Sequence, residues 1–491
     1  MRLCLRPDHP AVAGAARFAG ALALLALPLV TFAQDAAAPS TPPVEAAAAP
    51  AINTGDTAWM LMSTALVLLM TPGLALFYGG MVRGKNVLNM LMKSFIAVAI
   101  VSVVWMIAGY SLAFAPGSAF LGDLRYMGLG NVGQEPLTLN GTAMTVPHQV
   151  FMMFQMMFAI ITPALISGAV AERMKFSAYV IFITLWSLLV YAPLAHMVWG
   201  EGGYLFKLGA LDFAGGTVVH ISSGVSALVL CILLGKRRTE RNEDLRPHNL
   251  PMVLIGTGLL WFGWFGFNAG SAVASNGLAG SAFMVTHLAA AMAGLVWVLI
   301  EWITLKQPTA LGFATGAVAG LVAITPASGF VNPIGALAIG TGVSCLSFFA
   351  IKMKSKLGYD DTLDVFAVHG VGGTWGAIAT GLFATKVVNS AGQDGLFYGG
   401  SELLGKQVVG VLIAIVYAAV ITLVLGLILK ATVGLRASAD AEETGLDVAL
   451  HGEEAYAGAP GGSGMDGFGG GHAPIGATAA AAPALKPEAA R

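Results

Sequence analysis

Eleven apolar runs follow one another along the chain, near residues 57–80, 88–114, 149–171, 177–197, 215–235, 251–271, 279–304, 310–324, 333–353, 366–385 and 404–430. Most hold about the 20 residues that a helix needs to cross a bilayer core. Backbone exposed to lipid must satisfy its hydrogen bonds internally, so each run is predicted to be a helix. The run 310–324 is the shortest and is rich in Gly and Ala. The pattern predicts an all-α polytopic membrane protein with eleven transmembrane helices.

The loops between the runs differ in charge. One set carries Arg83 and Lys85; Arg173 and Lys175; Lys236, Arg237, Arg238, Arg241 and Arg246; Lys306; and Lys352, Lys354 and Lys356. The alternate set carries Arg125, Lys207, Lys386 and Lys406. Basic loops stay in the cytoplasm, so the N-terminus is expected outside and the C-terminus inside. The polar stretches divide the chain further. Arg2, Arg6 and Arg17 precede the apolar stretch Phe18 to Val30, and Thr31-Phe32-Ala33 offers small residues for cleavage. Residues 1–33 therefore read as a signal peptide, although a first transmembrane helix is the other reading. Residues 34–55 read as an Ala/Pro-rich linker, 56–433 as the membrane domain and 434–456 as a cytoplasmic segment. Residues 457–491, rich in Gly and Ala, read as a disordered tail.

Composition supports the same class. Hydrophobic residues make up 56% of the chain and charged residues 10%, against about 25% charged in soluble domains. The lipid bilayer is thus an expected partner. A formal net charge of −1 gives no reason to expect nucleic acid. Cys4 lies in the signal stretch, and Cys231 and Cys345 lie in apolar runs, so neither a disulfide framework nor a metal-type spacing is present.

A short repeat runs through the spans. Val219-His220 is followed by Gly224, and Val368-His369 by Gly373; Phe77 is followed by Gly80, and Phe267 by Gly270. About five helices separate the members of each pair. A repeat with an odd number of helices must be inverted across the membrane, as in many transporters. His220 and His369 each lie deep in an apolar run, where ionisable side chains are costly and functional. A lone buried histidine more often bonds a backbone carbonyl. Two at matching repeat positions point to one shared site. His148, His196 and His287 lie nearer span ends, and His248 lies in a loop, so structural roles are expected there.

Asp212 and Asp364 stand at the starts of the fifth and tenth spans. An acid there caps the helix and complements its dipole; Asp212 would also favour a cation arriving from outside. Aromatic residues gather near the outer span ends: Phe154 and Phe158, Trp199, and Trp264, Phe265 and Phe267 ahead of Ser271. An interfacial aromatic belt is one reading. The other is a cation–π site, with the face of Trp199 and the hydroxyl of Ser271 holding a small cation.

Several longer motifs sharpen this picture: Phe77-Tyr78-Gly79-Gly80, Arg83-Gly84-Lys85-Asn86, Ala171-Glu172-Arg173, Ala195-His196-Met197-Val198-Trp199-Gly200, Asp212 through His220, Gly263 through Ala272, and Asp364 through Gly370. Together, and in this order from about Asn53 to Tyr456, they resemble the Amt/Mep/Rh ammonium transporter family. The resemblance implies eleven helices in inverted five-helix pseudo-repeats, assembled as a homotrimer with one pore per subunit in a bacterial inner membrane. It implies an outer ammonium site at Phe158, Trp199 and Ser271, a gate of Phe158 and Phe267, and a pore lined by His220 and His369. Asp212, Phe154 and Trp264 would support these. The Trp199–Ser271 pair is similar to the Amt branch. The resemblance also implies a PII-type signal protein as a partner at the cytoplasmic face.

No cofactor or enzymatic activity is expected. A membrane cytochrome with His220 and His369 as haem ligands is a rival, as is an intramembrane serine protease built on Ser271, which lacks a Gly-x-Ser-x-Gly setting. On the family's own scaffold, an ammonium sensor and an electroneutral ammonia channel remain alternatives.

Overall fold

The computed structural model describes residues 51–238 and 245–456. The expected signal peptide, nearly all of the expected linker and the expected tail lie outside the described residues.

Among the described residues, nine helical segments are long and apolar enough to cross a membrane. They are α1 (Thr54–Met81), α2 (Val87–Val104, run on through Trp105–Gly109 and Tyr110–Phe114), α3 (His148–Ile166), α4 (Phe176–Trp186, Ser187–Tyr191 and Ala192–Trp199), α5 (Gly216–Ile221 and Ser222–Leu234), α6 (Leu250–Gly270), α7 (Gly277–Leu305), α9 (Pro333–Leu357) and α11 (Leu403–Thr432). The other two expected spans are also helical. The shorter apolar α8 covers Ala310–Ile324, and α10 covers Phe366–Val371 and Gly372–Phe383. The glycines and histidine of α10 dilute its hydropathy.

The helix starts follow the sequence closely. Asn249 accepts from the Met252 N–H, Thr309 from Gly312 and Asn332 from Gly335, so each caps its helix. A side-chain oxygen there replaces a partner that the first turn lacks. One run ends early: α3 stops at Ile166, and residues 167–171 form a tight turn. Between α2 and α3 lies a two-stranded antiparallel hairpin, Pro136–Leu139 with Thr142–Pro147.

The expected repeat appears as two reciprocal crossings. In the first, α1 lies antiparallel against α6. A Cβ on Gly80 would strike Asn249 and Val253 at the start of α6, and one on Gly270 would strike Ser63 near the start of α1. In the second, α5 crosses α10. A Cβ on Gly224 would collide with the backbone of Gly370, and one on Gly373 would come to 2.9 Å from the His220 Cβ. The glycines that marked the repeat are thus the points where backbones touch. Close approach is what brings His220 and His369 together.

The segment after α11 folds back onto the helices. It holds two short helices, α12 (Ala439–Thr444) and α13 (Leu446–His451). The Asp447 carboxylate accepts from the Leu88 and Asn89 N–H groups at 2.9 and 2.7 Å, completing the first turn of α2. Arg436 pairs with Glu442 at 2.5 Å. Nearby, Glu172 joins two loops. It accepts from the backbone and side chain of Arg83 at 2.8 and 3.0 Å, and Arg237 reaches it at 3.3 Å. Two of the quoted motifs, 89 residues apart, meet in that ion pair.

Candidate functional site

The site begins where α4 ends. Trp199 is half-buried at the last turn, and its indole N–H donates to the Asp212 carbonyl at 2.8 Å. That bond holds the ring, whose edge-on neighbour is Phe158 with centroids 6.4 Å apart. Ser271 ends α6. Its hydroxyl donates to the Phe267 carbonyl at 2.9 Å, which leaves the oxygen lone pairs as acceptors.

Next to Trp199, the rings of Phe158 and Phe267 stack with centroids 4.0 Å apart and planes at 26°. Both are buried. Phe154, one turn before Phe158, packs edge-on against it at 4.9 Å and meets Gly270. Its place is behind the stacked pair.

Beyond the phenylalanines lies a narrow cavity of ≈ 10 Å³, which is about the room one water-sized molecule needs. His220, His369, Trp264, Phe77, Leu165 and Val318 are among the residues that line it. The two imidazoles face each other through Nδ1 atoms 3.2 Å apart. Only one Nδ1 can carry the shared proton. The donor ring therefore presents a bare Nε2 and the acceptor ring an Nε2–H. Moving the bridging proton, with rearrangement at the outer nitrogens, reverses the two roles. The Nε2 of His220 has no protein partner.

Both histidines sit in wide helical turns, Gly216–Ile221 in α5 and Phe366–Val371 in α10. Such an extra residue per turn re-aims side chains and is frequent at functional sites. Hydropathy cannot reveal it.

Two expectations need correction. Trp264 does not join the outer aromatic group. It stacks on His220 with centroids 5.5 Å apart and donates to the Thr325 hydroxyl at 2.9 Å. It lies seven residues before Ser271, about 10 Å along the helix at 1.5 Å per residue. Phe265 faces elsewhere, stacked on Phe283. Asp364 is not the cap of α10. It adopts a left-handed backbone, φ 59°, and its carboxylate pairs with Lys354 at 2.5 Å. The cap is Asp361, which accepts from the Phe366 N–H at 2.7 Å.

Asp361 thereby becomes the counterpart of Asp212. Each stands eight residues before its histidine and three residues before a left-handed residue, Gly215 or Asp364. Asp212 accepts from the N–H groups of Gly215, Gly216 and Thr217, each at 2.7 Å, and from the Thr217 hydroxyl. Burial still pushes its carboxyl above the usual range. Its bonds make it the clamp of the α5 start, and its carbonyl positions Trp199. The four histidines for which structural roles were expected are tied locally. His148 meets Tyr110 at 2.6 Å, His196 the carbonyls of Ala113 and Ser118, His248 the carbonyl of Val82, and His287 packs beside Trp261.

Comparisons with known proteins bear on the family and the fold. The model of the Ammonium Transporter Family matches residues 58–456. An ammonium transporter of Bacillus subtilis (strain 168) is 54% identical over 403 residues, covering 82% of this chain and 98% of that protein. The crystal structure of Saccharomyces cerevisiae Mep2 aligns with a TM-score of 0.74 at 37% identity, covering 79% of this chain and 90% of Mep2. A structure described as a Sensor Amt Protein aligns with a TM-score of 0.72 at 30% identity, covering 81% of this chain and 98% of that one. A family match over most of the chain, with relatives above 30% identity covered almost throughout, shows that this protein belongs to the ammonium transporter family.

Proposed function

We propose that the protein recruits ammonium at Trp199 and Ser271, removes its proton near Phe158 and Phe267, and passes ammonia along the histidine cavity while the proton crosses separately. The observation that carries this reading is the order of the parts: a half-buried aromatic ring and free hydroxyl lone pairs, then a stacked phenylalanine pair, then a cavity sized for one small molecule and lined by two imidazoles.

Magnitudes favour deprotonation. Moving a bare ammonium-sized ion into a low-dielectric interior costs on the order of 20 kcal/mol. Taking a lysine-like pKa of about 10.4 as an upper bound, losing the proton at pH 7 costs about 5 kcal/mol. The indole face attracts the cation, and Ser271 accepts from it. The stacked rings exclude water and must part for each molecule. The imidazole pair then offers ammonia one donor and one acceptor, and a ring that takes up a proton at one nitrogen and gives one from the other can pass a proton on. Potassium can bind an aromatic face but has no proton to shed, so the same path rejects it.

The wider reading follows the family. We place α8 and α10 as crossings, which completes eleven in inverted five-helix repeats. The basic loops face the cytoplasm of a bacterial cell, with the N-terminus outside after removal of residues 1–33. The chain assembles as a homotrimer, and a PII-type signal protein docks on the basic loops and the segment to Tyr456. A second reading, ammonium sensing on the same scaffold, draws on the likeness to the Sensor Amt Protein.

The test is solid-supported-membrane current from purified protein in liposomes, pulsed with ammonium and then potassium. The expected result is an ammonium current that vanishes when His220→Ala and His369→Ala are combined, and none with potassium. Flux by an internal pH dye without current would make the protein an ammonia channel. Neither flux nor current would leave sensing as the function.

A further inference from the structure

The two repeat-related acids differ in one respect that capping does not explain. Both oxygens of Asp212 are filled by four donors. Asp361 is more deeply buried, in the turn before α10, yet its Oδ1 has no hydrogen-bond partner. The sequence gives the reason. Thr217, which donates both its N–H and its hydroxyl to Asp212, has Phe366 as its counterpart, and Phe366 has only an N–H to give. An orphaned carboxylate oxygen in a buried site is costly, and a structural cap would not need it.

We infer that Asp361 is the proton acceptor at the far end of the pore, taking the proton that leaves the histidine pair and releasing it to the side of the membrane opposite Trp199. The inference rests on the electrogenic reading above. An imidazolium gives up a proton and returns to neutral imidazole. The Asp361 carboxylate becomes a carboxylic acid at its free oxygen, without breaking the Phe366 bond, and then loses that proton to solvent. Asp212 has no oxygen free for this, so the two ends of the pore are chemically unequal.

The surroundings fit that role. Tyr78 lies within electrostatic reach of Asp361, and its hydroxyl donates to the Leu165 carbonyl at 3.1 Å. Phe77 and Leu165 both line the histidine cavity, so the cavity wall and the acid share neighbours. The groups that face Asp361 come from every packed element: Asp364 in its own turn, Lys354 from α9, Tyr359, Cys231 from α5, Arg173 from the loop after α3, and Tyr78 from α1. Lys354 donates to the Asp361 carbonyl at 2.7 Å and pairs with Asp364, so its charge is spent mainly there. Burial, then the Asp364 charge, pushes the Asp361 carboxyl up to about 6. A group with that value exchanges protons readily near neutrality.

The experiment compares ammonium-evoked current with ammonia flux by internal pH dye, from symmetrical pH 5 to 8, for the parent, Asp361→Asn and Asp361→Glu. Asn keeps an oxygen for Phe366 but cannot carry the proton. The expected result is a current at least ~10-fold lower in Asp361→Asn, with ammonia flux falling much less, and a parent current that declines below about pH 6. Asp361→Glu should carry current with a displaced pH midpoint. A parent current that Asp361→Asn leaves unchanged in size and pH profile overturns the inference alone. So does loss of current and flux together in an Asp361→Asn protein whose melting temperature is not lowered. If Asp361→Asn does not fold, Asp361→Glu decides: an unshifted midpoint overturns the inference and a shifted one supports it. A parent that passes ammonia without current overturns the electrogenic reading, and this inference with it.

Discussion

Trp199 shows how much one side chain is asked to do. Its ring is edge-on to Phe158 and its N–H is fixed on Asp212, so its face is available without further ordering. A desolvated cation–π contact contributes about 2 kcal/mol, and 1.4 kcal/mol is a factor of ten in affinity. Trp199→Leu keeps an apolar side chain, smaller than the indole, and loses the π face and the N–H bond to Asp212. We expect its half-saturating ammonium concentration to rise ~10-fold or more, with the maximal current changed far less. Concentration series on the same liposome preparation measure both. An unchanged half-saturation would show that the ring is an interfacial aromatic and nothing more. At this scale the sequence was an uneven guide. Ring contacts run from Trp199 to Phe158, Phe267, His220 and His369 in turn, residues that the sequence places on separate spans. Trp264 was misplaced, because counting aromatics near a span end ignores the ~10 Å that seven helical residues cover. Asp361 was overlooked because Asp364 stands closer to the apolar run. The eight-residue step from acid to histidine, present twice in the chain, was the signal that would have found it.

Elements were the most legible level. Lipid forces uninterrupted apolar helices, so the runs and the helices agree closely, as at 310–324 and Ala310–Ile324. The wide turns carrying the histidines were invisible, since one added residue leaves hydropathy unchanged. The hairpin between α2 and α3 was also missed, because its short strands carry no long periodic pattern. The glycine pairs, by contrast, are read from two short matches and are contact points in the structure. That gives a direct prediction. A methyl at Gly224 would overlap the Gly370 backbone, which cannot move aside like a flexible side chain. Gly224→Ala should push α5 and α10 apart and lower stability by about 1–3 kcal/mol or more, as overpacking does. It should also disturb the Nδ1–Nδ1 approach of the histidines and reduce ammonium current. Gly84→Ala is the control, because nothing lies within 4 Å of a Cβ there. Equal melting temperatures for the two variants in detergent would mean that the crossing tolerates separation and that proximity is set elsewhere.

At the scale of the whole molecule, buried charge at one end of the helices joins parts that are distant in sequence, and its pH response runs in two directions. Burial opposes ionisation of Glu172, but Arg83 and Arg237 hold its carboxyl below the usual range. Burial likewise opposes ionisation of Asp360, while Arg237 brings it down to about 2. A depressed carboxyl contributes stability that is present above its unfolded value, near 4, and is lost as pH falls toward the folded one. Removing one partner of such a buried pair costs about 3–5 kcal/mol. Glu172→Gln should therefore melt well below the parent at neutral pH, with the gap closing in acid. A melting temperature within a degree of the parent at pH 7 would mean that the arginines find other partners. Asp361 works in the opposite sense. Its folded value of about 6 lies above the unfolded one, so its contribution is full below pH ~4 and is lost as pH rises through 6. Two units correspond to a loss of about 3 kcal/mol at neutral pH. The chain thus tolerates a destabilising acid beside a network that stabilises the same end, a pattern expected where function sets the residue. Asp361→Asn should remove that loss. Its melting temperature should exceed the parent's at pH 7 and converge with it near pH 4, even as current falls. Parallel pH curves for the two proteins would show that Asp361 titrates alike in the folded and unfolded states, and would leave its orphaned oxygen without a thermodynamic consequence.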